Sequence, residues 1–127
     1  MFATIMRVIL GILGALALFV AVNAFLNPDS VATQLGLSLM GNLGISTFRG
    51  DIGGLFAGSG LFMFAAAIRG NRLYLAPPLL YLGIALAART ATAMQVGFLP
   101  ELIPPMTVEA VATVILTLGY TSIGRSE

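Results

Sequence analysis

The sequence contains no cysteine and no histidine, and its six basic residues are all arginine. Each absence removes a class of chemistry. Without cysteine there is no disulfide framework and no thiol catalysis. Without cysteine and histidine there is no Cys/His metal site, and no histidine to ligate haem. A serine or threonine nucleophile would find neither histidine nor lysine to act as its base. The glycines lie in apolar segments and are not followed by Lys-Ser/Thr, so no phosphate-binding loop is present. Charge of either sign is scarce, at 9% of 127 residues with a net charge of +1. Nucleic-acid binding needs a clustered basic face, which this chain cannot build. A soluble domain of this length also needs a polar shell, and so few charges cannot supply one.

What the chain has instead is apolar sequence. It is 58% hydrophobic, with a mean hydropathy of +1.01, in runs long enough to face lipid. The expectation is one all-α integral membrane domain over residues 1–127, a four-helix bundle with spans at about 4–26, 46–68, 75–96 and 105–120. The first run is interrupted only by Arg7 near its start and Asn23 near its end. Arg7 followed by an apolar run, with Val22-Asn23-Ala24 resembling a cleavage site, also fits a signal peptide. The run is long for one, and a retained helix is expected. Asn27-Pro28-Asp29-Ser30 breaks that helix. A short surface helix should follow over Val31 to Leu39, capped by Asp29 or Ser30 and ended by Gly41 and Gly44. Arg69-Gly70-Asn71-Arg72 reads as a tight charged turn, and Pro77-Pro78 is tolerable in the first turn of span three.

Orientation follows from the arginines. Arg7, Arg69, Arg72 and Arg125 fall on one side of a four-span topology, whereas Asp29 and Glu101 fall in loops on the other. By the positive-inside rule the arginine side is the cytoplasm, with both termini there.

The stretch Arg49 to Gly60 organises the rest. Gly50, Gly54 and Gly58 recur every fourth residue and should line one helix face that admits a close neighbour, as should the pair Gly11 and Ala15 in span one. Asp51 is expected beside that glycine face, turned to a neighbour rather than to lipid. Asn23, Asp51, Arg89 and Glu109 place one polar group from each span at a similar depth, with Arg49 at the boundary. Arg89 shares its face with Leu82, Ala85 and Ala93, and Glu109 shares its face with Thr113, Leu116 and Tyr120. A charge in lipid costs roughly 2.5–3.5 kcal/mol on insertion scales, and the guanidinium fork suits a carboxylate. Arg89 is therefore expected to pair with Glu109 or Asp51, a choice the sequence leaves open. The cluster reads either as an ion pair that fixes helix packing or as a polar pocket for a small ligand, a lipid headgroup or a proton. Tyr74, Tyr81 and Tyr120 read as interface anchors or packing residues.

Asn27-Pro28, Leu35-Gly36-Leu37, Arg49-Gly50-Asp51-x-Gly53-Gly54, the late Arg89 of span three and the early Glu109 of span four together resemble a family of small bacterial four-helix membrane proteins. That family is a domain of unknown function similar to the DoxX-like group. The resemblance implies a multi-pass protein of the bacterial inner (plasma) membrane. Its relatives are linked to quinone-associated redox accessory roles and to the assembly of other membrane proteins. Arg49, Asp51, Gly54, Arg89 and Glu109 carry its motif. The expected function is an accessory or structural subunit that docks on a larger membrane protein, a complex or further copies of itself, with membrane lipid around it and no resident cofactor or metal. The alternative is a binding protein or enzyme for a lipid, quinone or other hydrophobic molecule, using Asp51, Arg89 and Glu109.

Overall fold

Each apolar run folds as a helix bounded by the breakers that flank it. A computed structural model describes residues 1–124 of the chain, so Arg125 lies outside the described residues. Helix α1 (Phe2–Leu26) is followed by the short α2 (Pro28–Gln34). Helix α3 (Gly41–Thr47) continues through one π-helical turn, Phe48–Gly53, into α4 (Gly54–Arg69). A 3-10 turn over Arg72–Leu75 leads into α5 (Ala76–Val96), and another over Pro100–Leu102 leads into α6 (Ile103–Ser122). Among the described residues there is no strand. Four continuous stretches, Phe2–Leu26, Gly41–Arg69, Arg72–Val96 and Pro100–Ser122, are long and apolar enough to cross a membrane.

The stop signals act as their chemistry requires, with one correction. Gly70 takes a left-handed conformation (φ 64°) and its N–H reaches the Ala66 carbonyl at 2.9 Å, closing α4. Prolines occupy the first turns of α5 and α6, where a missing N–H costs nothing. The surface helix, however, is shorter and earlier than Val31 to Leu39. Pro28 itself begins it, no side chain caps it, and it stops before Gly36, whose φ of +75° cannot continue a right-handed helix. Gly41 (φ +62°) opens the next helix instead of closing this one, and Gly44 lies inside it. The second long helix therefore starts at Gly41 rather than near Ser46.

Packing is centred on α1. It lies antiparallel to α4 along its length and also against α6, while α5 lies against α6 and meets α4 only sparsely. The α1–α4 crossing is a contact of backbones. A Cβ on Gly14 would sit 2.9 Å from the Gly60 carbonyl oxygen, and a Cβ on Gly60 would sit 2.9 Å from that of Gly14. Gly119 of α6 makes room for Leu10 in the same way, at 2.9 Å. Leu10, Met63, Ala66, Leu75, Leu116 and Ile123 form the main core around these contacts, and Ala24, Ala32 and Phe48 form a smaller one at the other end.

The glycine face expected from Gly50, Gly54 and Gly58 is not the one used within the chain. A Cβ at any of the three would meet nothing within 4 Å. The face in contact carries Gly53 and Gly60, seven residues apart. Gly54 and Gly58 lie roughly 120–160° around the helix from Gly60. Ala15 is likewise exposed, and Gly11 makes only an ordinary contact, 3.9 Å from the Ala67 Cβ. The apolar sequence around these glycines could not say which small residues meet α1.

The arginine-bearing end is closed by Arg7. Its Nε donates to the Ala67 carbonyl at 2.5 Å and its Nη2 to that of Ile68 at 2.6 Å. These are carbonyls of the last turn of α4, where no intrahelical donor remains and a cation is favoured. Arg72 lies over the Tyr120 ring, 4.9 Å from its centroid, at the same end.

The two sets of glycines should respond oppositely to substitution. Gly14→Ala or Gly60→Ala should each destabilise the protein by about 1–3 kcal/mol, because the added methyl meets backbone that cannot swing away. Gly54→Ala and Gly58→Ala should leave stability unchanged or slightly raised. Thermal unfolding of the four variants in one detergent measures this, and equal losses at all four would refute the assigned crossing.

Candidate functional site

Of the polar residues singled out in the sequence, two make direct contact. Arg89 on α5 donates from Nε to Glu109 Oε1 on α6 at 2.8 Å, the single salt bridge among the described residues. The side chains are 36% and 15% exposed respectively, so the carboxylate is the better shielded member. The open choice between Glu109 and Asp51 is thus resolved in favour of Glu109, because α5 lies on α6 and meets α4 sparsely. The contact uses one oxygen of the carboxylate. Glu109 Oε2 is buried without a hydrogen-bond partner, which leaves the pair short of the two-pronged arrangement that guanidinium and carboxylate can form.

The surroundings of the pair are quiet. Thr113 Oγ1 donates to the Glu109 carbonyl at 2.7 Å, Thr117 to that of Thr113 at 2.8 Å, and Thr121 to that of Thr117 at 3.1 Å. Thr90 and Thr92 of α5 bond back in the same way to Leu86 and Ala88. Each hydroxyl is satisfied by the preceding turn of its own helix, the usual solution where water is scarce. Tyr81, whose sequence context suggested only an anchor or packing residue, lies within electrostatic reach of both Arg89 and Glu109.

The remaining members of the expected constellation are engaged elsewhere. Asn23 donates from Nδ2 to the Phe19 carbonyl of its own helix at 2.9 Å. Arg49 donates from Nε to the Phe25 carbonyl at 2.9 Å and stands over the Phe25 ring, 4.6 Å from its centroid. This fastens the π-helical turn that leads into α4 to the last turn of α1, through a charge-assisted hydrogen bond and a cation–π contact. Asp51 does not turn to a helix neighbour as expected. It is exposed, and it lines a groove of about 550 Å³ between the α2–α3 connection and the π-helical turn.

That turn is a feature the sequence did not announce. A π-helical turn takes up an extra residue, so the segments before and after it are rotated relative to each other. The rotation is compatible with Phe48 entering the smaller core beside Ala24 and Ala32, and with Gly53 lying against Ala21 and Ala24. Gly50 and the adjacent Gly53-Gly54 pair were the available signal, since they weaken the preference for a regular α-helix.

If the pair acts as an interhelical clamp, Arg89→Ala should lower the stability of the bundle by about 1–3 kcal/mol, the range for leaving a buried polar group without its partner. Replacing both residues by leucine should recover most of that loss, since no unpaired charge remains. Thermal denaturation of the single and double variants in detergent tests this, and an Arg89→Ala protein that melts like wild type would dismiss the clamp.

Compared with known proteins, the chain matches no family model, and no curated protein or solved structure is significantly similar to it.

Proposed function

We propose that the chain is a multi-pass protein of the bacterial inner membrane, with both termini in the cytoplasm, that serves as an accessory subunit docking laterally on another membrane protein or on further copies of itself. Four helices of spanning length support the membrane reading. Arg7, Arg69 and Arg72 stand at one end of the bundle, which supports the cytoplasmic assignment of that end. We also place the chain with the small DoxX-like four-helix proteins, whose accessory roles agree with lateral docking.

One observation carries the docking reading. Gly50, Gly54 and Gly58 have no neighbour within 4 Å of where a Cβ would stand, although intrachain packing uses other glycines at van der Waals distance. In a bilayer, small residues at four-residue spacing favour close approach of a second helix, because burial from water no longer drives association. A second reading, as a binding protein for an amphiphile, is favoured by the groove beside Asp51.

Docking can be measured without background because the chain has no cysteine. Gly54→Cys and Gly58→Cys variants should cross-link to a partner or to themselves in native membranes. Gly54→Ile with Gly58→Ile should release that partner while leaving the melting temperature of the isolated bundle within a few degrees of wild type. A solitary, uncross-linked bundle in unextracted membranes would remove the docking reading.

A further inference from the structure

A second groove, of about 520 Å³, runs along the exposed side of α5. Ala76, Leu80, Gly83 and Ala87 line it from one face of that helix, and Tyr120 of α6 lines its end. A Cβ on Gly83 would meet nothing within 4 Å, so the missing side chain leaves space between the exposed Leu80 and Ile84. Ala76 and Ala87 are roughly 16 Å apart along the helix axis, about half of the ~30 Å hydrocarbon core of a bilayer. The end at Ala76 and Tyr120 is the arginine-bearing end of the molecule. Arg72 precedes Ala76 by one turn, and its guanidinium stands 4.9 Å from the centroid of the Tyr120 ring. Arg7, Arg49 and Arg89 spend N–H groups on acceptors within the chain, whereas among the described residues Arg72 has neither a hydrogen bond nor an ion pair. The described carboxylates, Asp29, Asp51, Glu101 and Glu109, all lie toward the other end. A free cation thus stands at the mouth of an apolar groove that runs inward from the end of a helix of spanning length.

We propose that this groove seats an acyl chain of an anionic phospholipid whose phosphate is held by Arg72, with phosphatidylglycerol as the probe. The lipid then stands as it does in a bilayer. Its phosphate lies at the helix end, and its chain runs inward along Leu80, Gly83 and Ala87 toward the midplane. The groove is as long as the hydrocarbon of one leaflet, whereas a partner's spanning helix would need a track along the whole of α5. The guanidinium matches a phosphate both in charge and in its fork of N–H donors. A zwitterionic lipid brings the same phosphate, but its ammonium is repelled by the cluster of Arg7, Arg69 and Arg72. The inference rests on the proposed membrane location. It concerns a face of α5 separate from the glycines through which docking is proposed.

The test is native mass spectrometry of the purified full-length protein, titrated with phosphatidylglycerol, phosphatidylethanolamine and phosphatidylcholine of identical acyl chains. Wild type should retain the glycerol lipid about fivefold over the other two, the factor for one arginine at a membrane surface. Arg72→Gln should bring the three lipids level. Gly83→Leu, whose side chain fills the groove, should lower retention of the glycerol lipid severalfold and keep the wild-type melting temperature, since its Cβ meets nothing within 4 Å. It leaves the contact of Arg72 with Tyr120 in place, so it tests the groove apart from any loosening caused by Arg72→Gln. Equal retention of the three lipids by wild type overturns the proposal. So does a preference that survives Arg72→Gln, or undiminished retention by Gly83→Leu. Displacement of the lipid by inorganic phosphate assigns the site to a free anion and overturns it too. A lipid-free dimer that Gly83→Leu disperses assigns the groove to a second copy, with the same consequence. Fractionation of lysed cells reports on the membrane reading separately. A membrane-bound protein with no lipid preference refutes only the groove assignment.

Discussion

The structure depends on the contact of two backbones, α1 and α4, at Gly14 and Gly60. The absence of both side chains brings each carbonyl to 2.9 Å from where the other's Cβ would stand. Dispersion between closely packed atoms is the main attraction left to helices surrounded by hydrocarbon, and it falls steeply with separation. The rest follows from this crossing. Because the two helices run antiparallel, the C-terminal carbonyls of each lie beside the N-terminal part of the other. Arg7 bonds to the end of α4, and Arg49, in the π-helical turn that leads into α4, bonds to the end of α1. The same pair of helices is strapped at both ends by one device, a guanidinium on the negative pole of its neighbour.

Helices α5 and α6 are held less closely. Gly119 lets α6 reach Leu10 of α1, whereas α5 depends on α6 and on the 3-10 turn that leads into it. Among the described residues the Arg89–Glu109 bond is the one ion pair, and it joins these two helices. It leaves one carboxylate oxygen unpartnered and much of the guanidinium accessible. An ion pair of this kind fixes which helix lies beside which more surely than it adds stability. The bundle is tightest where glycines bring the backbones of α1 and α4 together.

The polar residues show how low dielectric divides a set of groups that sequence position alone would gather. Asn23, Arg49 and Arg89 each carry donors that must find acceptors, and each takes one within its immediate reach: a carbonyl one turn back, a carbonyl on the adjoining helix, a carboxylate across α5 and α6. Asp51 lies within the π-helical turn. Phe48 of the same turn enters the smaller core, and Asp51 lines the groove beside the α2–α3 connection.

Much was determined by the sequence alone. The apolar runs, the Pro and Gly breakers and the scarcity of charge set four long helices, their approximate limits and the turn at Gly70. Local steric rules and composition act on each segment without reference to the others. The grouping of Arg7, Arg69 and Arg72 at one end also follows from helix lengths and connectivity. Only the tertiary structure decided which small residues touch. In a chain apolar on nearly every face, hydrophobic periodicity cannot distinguish the face that meets α1 from the face that is left open. So Gly14 and Gly60 are packed while Gly50, Gly54 and Gly58 are not. The partner of Arg89 was settled in the same way. Two carboxylates stood at compatible depth, and the sparse contact between α4 and α5, set by packing rather than by sequence spacing, left Glu109 as the one within reach.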